Sequence, residues 1–438
     1  MTGGTVGFRE HLPLRGRGKR AGIAVAAGLL VAAGLTACSS NSGAISINLY
    51  GSASETKFDK VLARCNQQAA GKYTIVKNLI PSDADGQRQQ FVRRLAAKDS
   101  GMDILGMDVT WVAEFAKAGW IQELTGDEKA KASAGVLKQP LATSTVQGKL
   151  YAIPRSTNVQ LLWYRKSLVP HPPKTWADMI SQAQKLKSEH KVYQIGLTGA
   201  QYEGYVVAFN TILASYGGTF VNADSSKATV DSKAVQALTL LHQLATSGLA
   251  SDSLSQDQEP QIFAEMEQGR SAFIINWPYV LSAMRTDAET NPQSKKIVDD
   301  LGYVVYPQIV PGQNTKVTLG GLNYAISSYS KHPTESYQAA MCLRDETSQL
   351  NGALDAGNVP VLQSLYTNKQ FQTAYPMYTE ILAELKDAST RPITPLYQNI
   401  STIVSTTLSP PAAIDPQSTA NTLQKDIQQS LDGRGILP

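Results

Sequence analysis

The residues that could do chemistry in this chain are polar and aromatic groups at the ends of short apolar runs. Asp108 follows ILGM in GMDILGMDVTWVAEF, Asn158 lies just before LLWYR in YAIPRSTNVQLLWYR, and Glu259 opens the stretch leading into MEQGRSAF. Trp277 closes SAFIIN, Gly320 and Gly321 offer exposed backbone in KVTLGGLNY, and Arg391 sits in STRPITP. Carboxylates and amides exchange hydrogen bonds with vicinal hydroxyls, and an indole face covers apolar CH surface, so the set suits a neutral polyol or sugar. Each residue also has a plainer reading. Asp108 equally fits a cap for a helix over 109–118, and Glu259 a helix-start charge favoured by the dipole. Trp277 fits a core aromatic, Arg391 a solvated loop cation, and Asn158 and the glycine pair turns.

Catalytic signatures are missing. The chain holds no GxSxG elbow, HExxH helix or phosphate-binding GxxxxGK[ST] loop. Its histidines, His11, His171, His190, His242 and His332, are scattered without ligand spacing, so neither a metal nor a cofactor is expected. The rival reading is a secreted glycosidase drawing a carboxylate pair from Asp103, Asp108 and Glu114. Such a pair must face one bond from about 5 to 10 Å apart, and Asp103 and Asp108 flank one short strand and need not converge.

The elements that must position these groups alternate. Strand patterns at 45–49, 73–80 and 104–107 are separated by helical periods at 57–69 and 87–98, and the rhythm predicts a parallel sheet covered by helices. Its ligand would sit at the carboxyl ends of the strands. The rhythm resumes with strands at 161–164 and 195–197, a helix over 176–189 opened by Thr175, and a helix over 205–216 closed by Gly217-Gly218. Helices follow at 234–246 and 262–267, then the SAFIIN strand, then a helical C-terminal third with proline breaks. About 400 residues remain after the N-terminal segment, which suits two lobes.

That N-terminal segment reads as an export signal. Arg9, Arg15, Arg17, Lys19 and Arg20 precede an apolar run over 21–35, short and rich in Gly and Ala for a span that needs about 20 apolar residues. Residues 1–37 are expected to be a signal peptide, and LTAC resembles a bacterial lipobox that makes Cys38 a lipid attachment point. Residues 38–44 then form a flexible tether. The full chain carries a net charge of +4, but five of its 40 basic and one of its 36 acidic residues lie in the segment before Cys38. The remainder is neutral, and no cluster of Lys and Arg with aromatics marks a nucleic-acid groove. With Cys38 removed, Cys65 and Cys342 are left as a pair in an oxidising compartment; a disulfide is the first expectation and two buried thiols the alternative.

The lipobox, YAIPRSTNVQLLWYR and FAEMEQGRSAFIINWP together resemble extracytoplasmic sugar-binding proteins of ABC importers, the maltose-binding-like superfamily. RCNQQ at 64–68, MDVTWVAEFAKAGW at 107–120, KVTLGGLNYAIS at 316–327, RPITPLYQ at 391–398 and the GILP tail are similar to the mycobacterial trehalose-binding lipoproteins within it. The resemblance spans essentially the whole chain after Cys38. It implies an α/β periplasmic-binding-protein fold of two lobes joined by hinge crossings, lobe one over 45–153 plus 322–350 and lobe two over 154–321 plus 351–438. It implies that Asp108, Asn158, Glu259, Trp277, Gly321 and Arg391 contact a disaccharide, trehalose first, and that Cys65 pairs with Cys342. The implied protein is a lipid-anchored monomer on the outer face of the cell membrane that serves a permease driven by a cytoplasmic ATPase. Maltose-type oligosaccharides and glycerophosphodiesters are the alternative ligands.

Overall fold

The computed structural model describes residues 45–52 and 57–434, and Ala44–Pro438 form one compact unit. The expected signal peptide, Cys38, the tether and the GILP tail lie outside the described residues.

In chain order the strands are β1 (Ile45–Ser52), β2 (Tyr73–Ile80), β3 (Ile104–Asp108), β4 (Thr145–Val146), β5 (Lys149–Leu150) and β6 (Ile153–Asn158). They continue with β7 (Leu161–Arg165), β8 (Gln194–Gly196), β9 (Ser271–Asn276), β10 (Leu301–Val304), β11 (Gly320–Ile326) and β12 (Val359–Pro360). A six-stranded sheet has the order β12-β6-β11-β3-β1-β2, a four-stranded sheet the order β10-β7-β9-β8, and β4 and β5 form a hairpin. Side-chain alternation sorts the large sheet's core into two clusters. Ile47, Leu49, Ile104, Tyr324 and Ile326 pack in one, and Tyr50, Leu105, Met107 and Ala325 in the other. Successive residues of a strand point to opposite faces, so both faces of this sheet are covered.

The expectation of a parallel sheet holds only in part. β1 runs parallel to β2 and β3, and β8 parallel to β9. β11 is antiparallel to both β3 and β6, β12 to β6, and β7 to both β9 and β10. Only Val159 and Gln160 separate β6 from β7, far too few for a parallel crossover, so the chain passes from one sheet to the other. It returns at β11, entering the large sheet from the opposite end. The crossings therefore fall at 159–160 and just before Gly320, not at 153/154 and 321/322. β12 also lies in the large sheet, although it falls in the 351–438 stretch assigned to lobe two.

Local signals place the helices. Thr175 and Asp178 form a reciprocal capping box, with Asp178 N–H donating to Thr175 Oγ1 at 3.0 Å and Thr175 N–H to Asp178 Oδ2 at 3.1 Å. The helix Glu203–Ser215 is buried on every side, as its nearly unbroken apolar sequence requires. It begins two residues earlier than its periodicity suggests, because a buried partner accommodates the charge of Glu203. A Cys65–Cys342 disulfide joins the helices Asp59–Gln68 and Pro333–Leu343, with Cα atoms 5.8 Å apart.

One buried acid sets a pH response. Glu384, in the helix Tyr378–Asp387, accepts the Tyr306 N–H, but burial pushes its carboxyl up to about 8. At acid pH the group is protonated in both folded and unfolded chains. As pH rises towards that value only the unfolded chain releases the proton, so stability falls across this window. Glu384→Gln keeps an acceptor for Tyr306 and removes the titration. Thermal melts from about pH 5 to about pH 8 should show a smaller loss for the variant than for the parent; equal losses would contradict the assignment.

Candidate functional site

The antiparallel return of β11 assembles the site. Because it enters from the other end, its first residues stand beside the last residues of β3 and β6. Gly320 pairs with Asn158, Gly321 with Thr157, and Leu322 with Asp108. Four of the expected residues, counting both glycines, therefore share one sheet edge. The glycines are strand residues there and not a turn.

The wall opposite is built from the small sheet and its helices. Trp277 follows β9 and lies against Gly320: a methyl at Gly320 would stand 3.1 Å from the indole Cη2. The Trp277 backbone N–H donates to Asn276 Oδ1 at 2.8 Å, and the indole Nε1 donates to Glu259 Oε1 at 3.3 Å. Glu259 opens the helix Glu259–Glu267, and its other oxygen accepts from the Tyr202 hydroxyl. Burial and the charge of Glu259 hold that hydroxyl well above its ordinary pKa, so it remains a donor. Asn276 Nδ2 and the Tyr279 hydroxyl both donate to the Glu259 carbonyl, at 3.0 and 3.2 Å. Half-buried Trp277 is thus fixed by polar bonds at both ends, unlike a core aromatic.

Arg391 is only 5% exposed, which overturns its reading as a solvated loop cation. Its Nη1 donates to Glu203 Oε1 and its Nη2 to the Leu319 carbonyl at 3.3 Å; Nη2 also lies 3.7 Å from Asp108 Oδ1. Glu203 further accepts from the Tyr397 hydroxyl at 2.5 Å and from Ser401 Oγ. Burial pulls the guanidinium down, but Tyr397, Asp108 and Glu203 outweigh it and its pKa is raised, so Arg391 stays charged. Burial raises the Glu203 carboxyl, and Arg391, Ser401 and Tyr397 pull against that rise. Asp108 caps a turn and not the following helix: its Oδ1 accepts from the backbone N–H and hydroxyl of Thr110. Between that turn and the 390–393 segment lies a small pocket, partly open to solvent, lined by Thr110, Thr143, Leu319, Arg391 and Pro392 among others.

Two further bonds join the same halves. Gln398 Nε2 donates to Asp85 Oδ1 at 3.0 Å, and Lys57 Nζ to Thr286 Oγ1 at 3.0 Å. Burial raises the Asp85 carboxyl, and the neighbouring charges of Asp83 and Asp108 add to it.

The carboxylates named for hydrolysis are engaged separately. Asp103 precedes β3, at the end opposite Asp108, and accepts from Asn48 N–H and Ser330 Oγ. Glu114 is held by both Nε and Nη2 of Arg88, at 2.8 and 2.6 Å. Among the described residues no group of three or more His, Cys, Asp or Glu side chains is placed to hold a metal. Tyr202, Glu203, Asn276 and Tyr397 were missed in the sequence. The one available signal was an acid, Glu203, at the head of an otherwise apolar helix.

The sequence profile of the family described as "Bacterial extracellular solute-binding protein" matches residues 54–341, about two thirds of the chain. The chain belongs to this family. Such solute-binding proteins work outside the cytoplasm as the capture components of ABC transporters and are not enzymes. A probable ABC transporter-binding protein of Deinococcus radiodurans is 29% identical over 326 residues, covering 72% of this chain and 75% of the relative. The galactooligosaccharide-binding protein of Bacillus subtilis is 22% identical over 276 residues, 61% of this chain and 62% of its own. Among solved structures, maltose-bound MalE3 of T. maritima superposes with a TM-score of 0.79 at 24% identity, covering 88% of this chain and 99% of that one. The GacH receptor of Streptomyces glaucescens, solved unliganded and with acarbose, gives 0.77 at 19% identity, over 90% and 100%. This solute-binding protein thus has the two-lobe fold of maltose-binding-like proteins.

Gly321 has a structural duty at this edge. Its φ is +139°, and a Cβ there would lie 2.3 Å from the Ser156 carbonyl oxygen. Gly321→Ala should therefore cost about 1–3 kcal/mol of stability, read as a lower melting temperature. An unchanged melt would show that the β11–β6 pairing relaxes around a side chain.

Proposed function

We propose that the protein is a lipid-anchored receptor, attached through Cys38, that captures an α-linked disaccharide, trehalose first, and delivers it to a membrane permease driven by a cytoplasmic ATPase. The observation that carries this reading is the meeting of two dissimilar walls. Asp108 and Asn158 end strands of the large sheet; Arg391 lies 3.7 Å from Asp108, and Trp277, bonded to Glu259, lies against Gly320, the strand partner of Asn158. Carboxylates, an amide and a charge-assisted donor supply hydrogen bonds to hydroxyls, and the indole supplies a stacking face. Neighbours solved with maltose, acarbose and α-D-tagatose support a sugar as the ligand class. The two lobes are the halves around the two sheets, divided at 159–160 and before Gly320. A ligand touching both favours the closed arrangement by its differential contacts. Micromolar capture corresponds to about −8 kcal/mol, within reach of a few such bonds and one stacked ring.

Isothermal titration calorimetry on the chain from Ser39 with trehalose, maltose, sucrose and glycerophosphocholine tests the ligand class. One-to-one heat with trehalose alone is expected. Heat with another of the four would replace the ligand, and silence with all would overturn the reading. Trp277→Ala and Asp108→Ala should each weaken binding about tenfold or more while leaving the melt cooperative. Parental affinity in both would remove these residues from the site.

A further inference from the structure

We propose that Glu203 determines specificity at the Arg391 corner of the cleft, by occupying the guanidinium so that the site takes uncharged polyols and rejects anionic sugars. The proposal rests on the reading of this cleft as the ligand site.

A planar guanidinium presents a donor fork matched to phosphate and carboxylate, so an arginine buried at a pocket wall is by default an anion receptor. Arg391 lines the pocket beneath the Asp108 turn and is almost wholly buried. Here the fork is already engaged. Nη1 is given to Glu203, and Nη2 is turned towards the Leu319 carbonyl and Asp108. Glu203 cannot swing aside to release it, because the Tyr397 hydroxyl and Ser401 Oγ hold its two oxygens from the helix Tyr397–Thr407. Asp108 adds a second carboxylate, 3.7 Å from Nη2 of the same guanidinium. An incoming phosphate would meet a cation already neutralised and two carboxylates it cannot displace, whereas a hydroxyl can donate to a carboxylate and accept from a remaining N–H. Selectivity of this kind comes from the repulsive partner as much as from the attractive one. Glu203 need not touch the ligand to impose it.

Calorimetry on the purified protein and on Glu203→Gln and Glu203→Asp, with trehalose as the neutral probe and trehalose 6-phosphate and inorganic phosphate as anionic probes, tests the proposal. The parent should bind the phosphorylated sugar much more weakly than the neutral one. E203Q should gain about tenfold or more in affinity for the anionic probes, a gain that weakens with added salt. E203D, which keeps the charge but draws it back by one methylene, should fall between. Adding Arg391→Gln to E203Q should abolish the gain, since it is the freed guanidinium that creates it. Mere structural damage cannot produce new anion binding. A folded E203Q that shows no gain overturns the proposal, as does a gain that survives loss of Arg391. Should E203Q fail to fold, a folded E203D without any gain overturns it equally. Silence of the parent towards trehalose would count against the disaccharide reading alone, because phosphate binding by E203Q still measures the release of Arg391.

Discussion

A guanidinium held at 5% exposure needs a fixed counter-charge, and the pairing of Arg391 with Glu203 supplies it. Burying two ions costs several kcal/mol for each, and the cost is offset only when the geometry is good and the remaining lone pairs are used. The carboxylate meets both conditions, whereas on the arginine side the buried Nε–H is left without a partner. The Glu203 carboxylate accepts from Arg391, Tyr397 and Ser401, and the Leu319 carbonyl takes a further guanidinium proton. This pair ties the head of the fully buried helix Glu203–Ser215 to the 391–401 segment. It also sets one charged donor in place against Asp108 at the end of β3.

The residue before Glu203 does the same for the other part of the wall. Tyr202 binds Glu259, Glu259 binds the Trp277 indole, and Asn276 links the Glu259 carbonyl to the Trp277 backbone. Two adjacent residues at one helix head therefore hold the guanidinium, the carboxylate and the aromatic face. The opposing edge depends on strand direction. Only an antiparallel β11 brings Gly320 and Gly321 beside Asn158 and Thr157, and a Cβ at 320 would press on the indole at 3.1 Å. The proposed site draws on both sheets, since Asp108 and Asn158 end strands of one and Trp277 follows a strand of the other.

Much of this was legible in the sequence where the determinants are local. β2 spans Tyr73–Ile80 as its alternation indicates, Thr175 opens its helix through a capping box, and SAFIIN is β9. The resemblance, more than any single residue, points to Asp108, Glu259, Trp277 and Arg391 as a set; in the structure Arg391 lies near Asp108 and the Trp277 indole is bonded to Glu259. What stayed hidden depends on distant partners. Arg391 in a proline-rich turn looks solvated because its counter-ion lies 188 residues away. The helix at Glu203 looks two residues shorter because an acid breaks its apolar period. The antiparallel direction of β11 is hidden because alternation reports which face a residue takes and says nothing of which way its neighbour runs.

One ligand is proposed to bridge the two walls, and a crystal structure of the protein grown with trehalose would show whether it does. Sugar density is expected between the Asp108–Asn158 edge and the Glu259–Trp277–Arg391 wall, with hydrogen bonds to both and a ring against the indole. A sugar bound elsewhere, or held by one wall alone, would contradict it.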